Sequence, residues 1–259
     1  MKNKVILISV DGMRPDGFLG CEHPFTKRML KEFSYTLTGC SMKPSVTLPC
    51  HTSIFYGVPP ARHGIVTNAY VPPVRPIKGI AERLADAGKM NAAFYNWEPM
   101  RHVWSSDTMA YTVFIHAYAE ENTDLILTER TIEFLQNKEP DFVYLYMVET
   151  DEKGGHDNGW MSNAYLNRVF NAISCVEKIF NTAAQKYNII VTADHGGHER
   201  MHGTDCPEDM TIPMFFWGDG FEGGKDLGKI SLLDIAPTIL ACMDMPPSAE
   251  WEGNSLIKK

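Results

Sequence analysis

The sequence lacks any C-x-x-C pair. Its six cysteines are scattered along 259 residues: Cys21, Cys40, Cys50, Cys175, Cys206 and Cys242. Zinc ribbons and thioredoxin-like redox sites need cysteines paired at short spacing, so the pattern argues against both classes. We expect these thiols to be buried or incidental.

Long apolar runs are also missing. No stretch approaches the roughly 18–20 consecutive apolar residues that span a bilayer. The N-terminal segment MKNKVILISVDG has a short β-branched run that ends in Asp-Gly, whereas a signal peptide would lead to a small-residue cleavage site. We therefore expect a first strand here, and a cytoplasmic protein with no membrane partner.

The chain has no excess of positive charge. It carries 24 Lys and Arg against 32 Asp and Glu, a formal net charge of −8. Nucleic-acid polymers and anionic membranes are bound through basic patches, so neither is an expected partner. Negative charge gathered in a cleft would instead suit bound cations.

Short apolar runs rich in Val, Ile, Phe and Tyr alternate with helical patterns. The runs lie at residues 4–10, 91–96, 142–149, 188–193 and 212–217. Apolar residues at helical spacing occupy 77–89 and 162–180. This alternation predicts an α/β fold, with a mostly parallel central sheet flanked by helices, in a single domain over residues 1–259.

The segment between the first two helical patterns is harder to interpret. Residues 97–122 are rich in aromatics and follow neither the helical nor the strand period. Within residues 70–122 the chain forms either a small irregular cap over a site or a surface excursion. Tyr95, Trp97 and Trp104 could stack on a base, although aromatics in such a segment more often pack.

Three predicted strands end in acidic residues: Asp11, Asp151 and Asp194. The carboxyl ends of strands line the ligand crevice of open α/β sheets, so these carboxylates are expected to converge there. Nearby histidines are His195, His156 and His202. Imidazole together with carboxylate suits Zn²⁺, or Mn²⁺, better than Mg²⁺ or Ca²⁺.

The segment KPSVTLPCHTSIFYG places Thr47 and Leu48 just before a predicted helix, with Pro49 in its first turn. Helix N-terminal amides face anions, so Thr47 is either an ordinary helix cap or a nucleophile. Cys50 is a competing nucleophile, but it falls inside the first turn without an evident base.

Five ordered motifs carry a family resemblance: VDGMRPD, TLPCHTSIFYGVPPARHGIVTN, DEKGGHDNG, ADHGG and HGTDCPEDMTIP. Together they resemble the alkaline phosphatase superfamily, most closely its nucleotide pyrophosphatase/phosphodiesterase branch. The closing segment LLDIAPTILACMDMPPSAEWEGNSL is similar to that superfamily's C-terminus, so the resemblance runs from residue 4 to about residue 256.

The resemblance implies two divalent metal ions, most simply zinc. Asp11, Thr47, Asp194 and His195 match the ligands of one ion, and Asp151, His156 and His202 match those of the other. Thr47 also matches the nucleophile, and Asn68 matches an asparagine that holds a phosphoryl oxygen. A divalent cation lowers the pKa of a hydroxyl, which makes threonine a competent nucleophile at neutral pH.

The implied activity is a metal-dependent phosphodiesterase or pyrophosphatase that acts on a small-molecule diester or pyrophosphate through a phosphothreonine intermediate. No arginine flanks Thr47, which favours a diester over the doubly charged monoester. Thr47-Leu48-Pro49-Cys50-His51 lacks the C-x-P-x-R context of sulfatases. Two alternatives stay open: a phosphonoacetate-hydrolase-like C–P hydrolase, with Arg75, Lys78 or Arg101 as cationic groups, and a non-catalytic metal-stabilised binding protein.

One motif departs from the family pattern. The family usually reads D-x-x-G-H, whereas His156 lies five positions after Asp151 and four after Glu152. Glu152 has the family's usual spacing to the histidine. Asp151 instead keeps the matching acidic residue in its place within the Thr-Asp-Glu run that follows the strand. We expect Asp151 to be the ligand, with Gly154-Gly155 absorbing the additional residue in a bulge.

Overall fold

The computed structural model describes residues 2–257 and is built on a seven-stranded sheet. The strands are β1 Val5–Val10, β2 Ser34–Cys40, β3 Asn91–Tyr95, β4 Tyr111–Phe114, β5 Phe142–Met147, β6 Asn188–Thr192 and β7 Thr211–Trp217. Their order across the sheet is β2-β7-β6-β1-β5-β3-β4. β7 pairs antiparallel with β6 and β2, and every other pairing is parallel.

Helices cover both faces of this sheet. They are α1 Pro15–Gly20, α2 Pro24–Glu32, α3 Thr47–Tyr56, α4 Pro60–His63, α5 Ile80–Asp86, α6 Thr123–Lys138, α7 Asn163–Ala183, α8 Pro207–Met210 and α9 Ile235–Cys242. Two short 3₁₀-helices, Glu98–His102 and Leu232–Asp234, and one π-helix, Thr150–His156, complete the secondary structure. α7 packs with α1, α2 and α6, while α3 packs with α5 and α9. The predicted α/β fold with a mostly parallel sheet is confirmed.

The central strands owe their burial to this double cover. Every residue of β1 and β5 is buried, as expected for parallel strands with helices on both faces. Consequently β1, β5 and β6 read in the sequence as continuous apolar runs rather than alternating ones. The carboxyl ends of these three neighbouring strands meet at one edge of the sheet.

The segment 70–122 contributes to the main layers. α5, β3 and β4 lie within it, and β4 extends the sheet at its edge beside β3. Within residues 70–122, the longer stretches outside these three elements are 70–79, 96–110 and 115–122. Nowhere in residues 2–257 is a helix both long enough and apolar enough to cross a membrane.

Candidate metal centre

Three carboxylates converge at the carboxyl edge of the sheet. Asp11 follows β1, Asp151 follows β5 and Asp194 follows β6, and all three side chains are buried. One oxygen of each has no hydrogen-bond partner, namely Asp11 Oδ1, Asp151 Oδ1 and Asp194 Oδ2. Buried polar atoms are rarely left unsatisfied, so these three oxygens fit the role of cation ligands.

The three predicted ligand histidines share one hydrogen-bonding pattern. The Nδ1 atoms of His195, His202 and His156 lie 2.7, 2.9 and 2.9 Å from backbone carbonyl oxygens, those of Gly196, Ser45 and Arg200. An Nδ1–H that donates to a carbonyl leaves the Nε2 lone pair available, which is the usual arrangement in metal-binding histidines. All three rings therefore present Nε2 as the ligand atom.

The first group of ligand atoms surrounds Nε2 of His195. This atom lies 3.2 Å from Asp11 Oδ1, 3.3 Å from Asp194 Oδ2 and 3.1 Å from the Thr47 hydroxyl. Ligands about 2.0–2.2 Å from one tetrahedral ion stand roughly 3–3.5 Å apart, so this spacing fits one cation. The structure thus brings together the four residues assigned to the first ion.

The second group of ligand atoms surrounds Asp151. Its Oδ2 lies 3.4 Å from Nε2 of His156, and its Oδ1 lies 4.0 Å from Nε2 of His202. The His202 ring stacks on His195 with a centroid distance of 3.8 Å, which places the two groups side by side. Glu152 is half-buried and accepts a hydrogen bond from the Tyr118 hydroxyl at 3.4 Å, although its charge still acts on Asp11 and Asp151.

A π-helix explains how Asp151 and His156 face each other although they are five positions apart. In an α-helix, such residues lie about 140° apart around the axis, on nearly opposite sides. The π-helix Thr150–His156 widens the turn, and the amide of Gly154 donates to the carbonyl of Glu149 five positions earlier. Isolated π turns of this kind are frequent at functional sites. The additional residue is absorbed over the whole turn rather than in a local bulge at Gly154-Gly155.

Gly12 allows the β1 loop to approach the second group. Its φ is +66°, and a Cβ at this position would lie 2.9 Å from Asp151 Oδ1. Its amide donates to Asp194 Oδ1 at 3.2 Å. Only glycine combines this backbone conformation with such a close approach, so Asp-Gly is required at the end of β1.

The pKa values of the acidic and histidine side chains at this site are shifted in ways that suit bound cations. Burial, together with the neighbouring Asp194 charge, raises the pKa of Asp11 well above its usual range, and burial with the charge of Asp11 does the same for Asp151. Burial raises the pKa of Asp194 to about 7. Burial lowers the pKa of His195 to about 4 and that of His202 to about 3. Neutral imidazoles and crowded carboxylates fit divalent cations.

Thr47 is the first residue of α3, not a residue before the helix as its sequence suggested. Its hydroxyl faces the first group, and the next amide, that of Leu48, donates to Asn68 Oδ1 at 3.0 Å. This bond holds the carboxamide of the exposed Asn68 at the N-terminus of α3 and leaves its nitrogen as a donor. Cys50 is buried, and burial raises the pKa of its thiol to about 12, so it is no competing nucleophile.

Two residues that sequence reasoning missed support the ligands. The Tyr146 hydroxyl donates a short hydrogen bond to Asp11 Oδ2. His51 is fully buried, with Nδ1 2.9 Å from the Thr47 carbonyl and Nε2 2.8 Å from Ser9 Oγ. His51 lies four positions after Thr47, one helical turn away, and this spacing was the signal that could have revealed it.

A third group of potential ligands differs from the first two. His198 Nδ1 lies 2.7 Å from Asp209 Oδ1, which is a direct hydrogen bond rather than the spacing of two atoms on one ion. Asp209 Oδ2 accepts from the amide and hydroxyl of Thr204 at 2.8 and 2.7 Å. Both oxygens are satisfied, so this group clamps the loop that carries His202.

The cap residues considered from the sequence have other partners. Tyr95 and Trp104 are buried and pack on each other at a centroid distance of 5.6 Å. Lys78 pairs with Asp86 and Arg101 with Glu98 at exposed positions. Tyr70 and His102 instead stack at 4.5 Å and line a small cavity with Arg75.

Comparison with known families agrees with this geometry. The model of the metalloenzyme superfamily matches residues 83–247, and that of type I phosphodiesterase/nucleotide pyrophosphatase matches residues 5–114. A curated relative is the 2,3-bisphosphoglycerate-independent phosphoglycerate mutase of Clostridium botulinum, 30% identical over 139 residues. The alignment covers 51% of this chain and 26% of the mutase. The chain therefore matches only about a quarter of that relative's length.

Solved structures share the fold at low identity. Murine ectonucleotide pyrophosphatase/phosphodiesterase 5, solved in complex with AMP, aligns with a TM-score of 0.79 at 15% identity, covering 98% of this chain and 97% of that one. The phosphonate monoester hydrolase of Silicibacter pomeroyi aligns with a TM-score of 0.75 at 14% identity, over 98% and 76% of the two chains. The chain thus belongs to the metalloenzyme superfamily, and the resemblance to the alkaline phosphatase superfamily is confirmed.

Proposed function

We propose that this protein is a metal-dependent phosphodiesterase or pyrophosphatase that uses Thr47 as its nucleophile. The observation that carries the proposal is the position of the Thr47 hydroxyl, 3.1 Å from His195 Nε2, among buried carboxylate oxygens that have no other partner. Two divalent cations, most simply Zn²⁺, would lower the pKa of this hydroxyl and neutralise charge on the phosphoryl group.

The ligand assignment follows the two groups of atoms. Asp11, Thr47, Asp194 and His195 would hold one cation, and Asp151, His156 and His202 would hold the other. A ligand atom of His195 also lies within 4.8 Å of those of Asp151 and His202, so the two groups adjoin at His195. Three carboxylates and an ionised Thr47 hydroxyl carry four negative charges, which two divalent cations balance. Charge balance therefore supports two ions rather than one.

Thr47 acts in two steps. Its oxygen attacks phosphorus, the Oγ1–P bond forms, and the bond to the leaving oxygen breaks. The oxygen of a water molecule then attacks phosphorus, the Oγ1–P bond breaks, a proton from the water returns to Oγ1, and the phosphorylated product leaves. The Leu48–Asn68 hydrogen bond holds the Asn68 amide where it can donate to a phosphoryl oxygen as charge develops.

The charge of the surroundings favours a diester. Three cationic side chains close to these motifs in sequence are paired with other groups. Lys43 pairs with Asp205 at 2.6 Å, Lys153 pairs with Glu149 at 2.7 Å, and Arg14 pairs with Asp16 and donates to the Gly197 carbonyl. A monoester brings one more negative charge than a diester, and none of these three side chains is free to neutralise it. We therefore propose a small phosphodiester or pyrophosphate as substrate.

The test compares three p-nitrophenyl substrates on protein loaded with defined zinc or manganese: a phosphate diester, a phosphate monoester and a phosphonate monoester. We expect kcat/KM to be highest for the diester, and chelation to abolish turnover. A monoester value well above the diester value would contradict the diester assignment. A preference for the phosphonate monoester would likewise contradict the diester assignment.

A further inference from the structure

Trp160 lies where the three ligand-bearing loops meet. It follows the π-helix by four residues, and its side chain is 7% exposed. The indole Nε1–H donates to the carbonyl of Gly12 in the β1 loop at 2.9 Å. Its backbone amide donates to the carbonyl of Glu199 in the β6 loop at 2.8 Å. One residue of the β5 loop thus links the other two.

Two glycines leave the space that the indole occupies. A Cβ at Gly155 would lie 2.5 Å from the Trp160 ring, and a Cβ at Gly197 would lie 2.2 Å from it. Gly155 directly precedes His156, and Gly197 is two residues after His195. Any side chain at either position would displace the ring, because real Cβ atoms do not approach this closely.

The ring also contacts both imidazoles of the second group. Its centroid lies 5.2 Å from that of His156, at an interplanar angle of 82°, and 6.1 Å from that of His202, at 67°. Each imidazole is fixed at Nδ1 by a single backbone carbonyl, and for His156 that carbonyl belongs to the exposed Arg200. A single hydrogen bond still lets an imidazole ring rotate about the axis of that bond. The indole packed against both rings prevents this rotation.

We propose that Trp160 is a positioning residue that orients His156 and His202 toward a shared divalent cation. It acts through the imidazoles and does not touch substrate. This inference rests on the two-ion centre of the proposed function, but it concerns ion binding rather than phosphoryl transfer. Outer partners of metal ligands typically change metal affinity about 10–100-fold, which sets the expected size of the effect.

The first experiment is a zinc titration of the full chain against a competing chelator. Trp160→Phe keeps an aromatic ring but loses the hydrogen bond to the Gly12 carbonyl. It should lower the affinity for one of the two zinc ions about 10–100-fold. In a His156→Ala background, which keeps only the first group intact, Trp160→Phe should leave the remaining ion unchanged. Wild-type affinity for both ions in Trp160→Phe would overturn the proposal.

Trp217→Phe is the matched control. Trp217 also donates its Nε1–H to a backbone carbonyl, that of Ala184 at 3.4 Å, but it lies at the end of β7 paired with the start of β6, far from the ligands. This variant should lower the melting temperature while both zinc affinities stay as in wild type. If Trp217→Phe lowers zinc affinity as much as Trp160→Phe does, the effect of Trp160 is one of general stability, and the proposal is overturned.

A double-variant cycle tests the steric link. Gly155→Ala should lower the affinity for the second zinc ion at least 10-fold, because the new methyl group displaces the Trp160 indole. Combined with Trp160→Ala, which vacates that space, Gly155→Ala should cause no further loss. Additive losses would contradict the proposal. If Trp160→Ala does not fold, Gly155→Ala and Trp160→Phe still decide the question.

The outcomes separate this inference from the proposed function. Zinc loss in Trp160→Phe, in a chain that hydrolyses none of the three phosphorus substrates, supports the positioning role and contradicts the proposed function. Diester hydrolysis with two zinc affinities unaffected by Trp160→Phe supports the function and contradicts the positioning role.

Discussion

His156 Nε2 lies 3.4 Å from Asp151 Oδ2 although the two residues are five positions apart in the chain. Glu152, at the spacing that the family motif would favour, turns toward Tyr118 instead. The π-helix therefore selects which of two adjacent acidic residues faces the second group of ligand atoms.

Asp151→Asn and Glu152→Gln form a matched pair that tests this selection. Asp151→Asn removes the charge of a proposed ligand, so zinc affinity at the second group should fall about 100-fold or more, beyond the usual effect of an outer partner. Glu152→Gln should leave it unchanged. Competitive zinc titration measures both. The reverse result, with Glu152→Gln losing the ion, would make Glu152 the ligand.

Thr47→Ala should abolish turnover while the fold and most metal binding persist, because it removes the nucleophile but only one of seven proposed ligand side chains. We expect a loss on the order of 10³-fold or more in kcat. Thr47→Ser, which keeps a hydroxyl, should retain more activity than Thr47→Ala. Acid-quenched mass spectrometry should detect a covalent adduct on the wild type and none on Thr47→Ala. Appreciable turnover by the alanine variant would exclude a covalent mechanism.

Tyr146→Phe removes the hydrogen bond to Asp11 Oδ2. An unsatisfied buried acceptor costs about 1–3 kcal/mol, and zinc affinity of the first group should fall about 10–100-fold. Tyr144→Phe is the control, since Tyr144 lies two residues earlier on the same strand and its hydroxyl contacts the Met100 sulfur at 3.7 Å. Zinc titration and thermal melts of both variants check this. Similar zinc affinities in the two variants would mean that the Tyr146–Asp11 bond does not tune the ligand.

The stability of the metal-free protein should fall as pH rises above about 6.5. Burial lowers the pKa of His195 and His202 from 6.5 to about 4 and 3. Below about pH 6.5 the unfolded state binds more protons at these histidines than the folded state does. Their contribution to the free energy of unfolding therefore rises with pH up to about 6.5 and is constant above it. Burial raises the pKa of Asp194 from 3.8 to about 7, and raises those of Asp11 and Asp151 well above 3.8. The folded state therefore holds carboxyl protons that the unfolded state has lost, and it is destabilised when they leave.

Thermal melts at pH 6.5 and 8 measure this dependence, with chelator and with zinc. The metal-free melting temperature should be lower at pH 8, and the increase on adding zinc should be larger there because deprotonated carboxylates and neutral histidines bind the cation. A metal-free melting temperature that rises between the two values would show that the carboxylates are not held protonated.

The central part of the fold could be predicted because strands buried on both faces have continuous apolar sequences. β1, β5 and β6 are covered on both faces and form continuous apolar runs, so the acidic residues that follow them could be placed at one edge. β2 and β4 were missed. They lie at the two edges of the sheet. β2 mixes polar and apolar residues, and β4 is only four residues long and largely exposed.

The ligand residues were found through strand ends and family motifs, whereas their supports were not. Tyr146 lies in an apolar strand, where a tyrosine is expected to be a core residue. Only the structure shows that its hydroxyl donates a hydrogen bond to Asp11. Trp160 follows the motif DEKGGHDNG, and its link to Gly12 spans 148 residues. Contacts between loops that are distant in sequence leave no periodic signal in a single chain.

The π-helix Thr150–His156 also bears on how this chain aligns with its relatives. A sequence comparison must open a gap between Asp151 and His156, since the family motif has one residue fewer there. The widened turn accommodates that residue, and Asp151 Oδ2 still lies 3.4 Å from His156 Nε2. Chain length and side-chain geometry are thereby uncoupled at this turn. We expect a chain with one residue fewer here to form an ordinary helical turn and to keep the same two side chains facing each other.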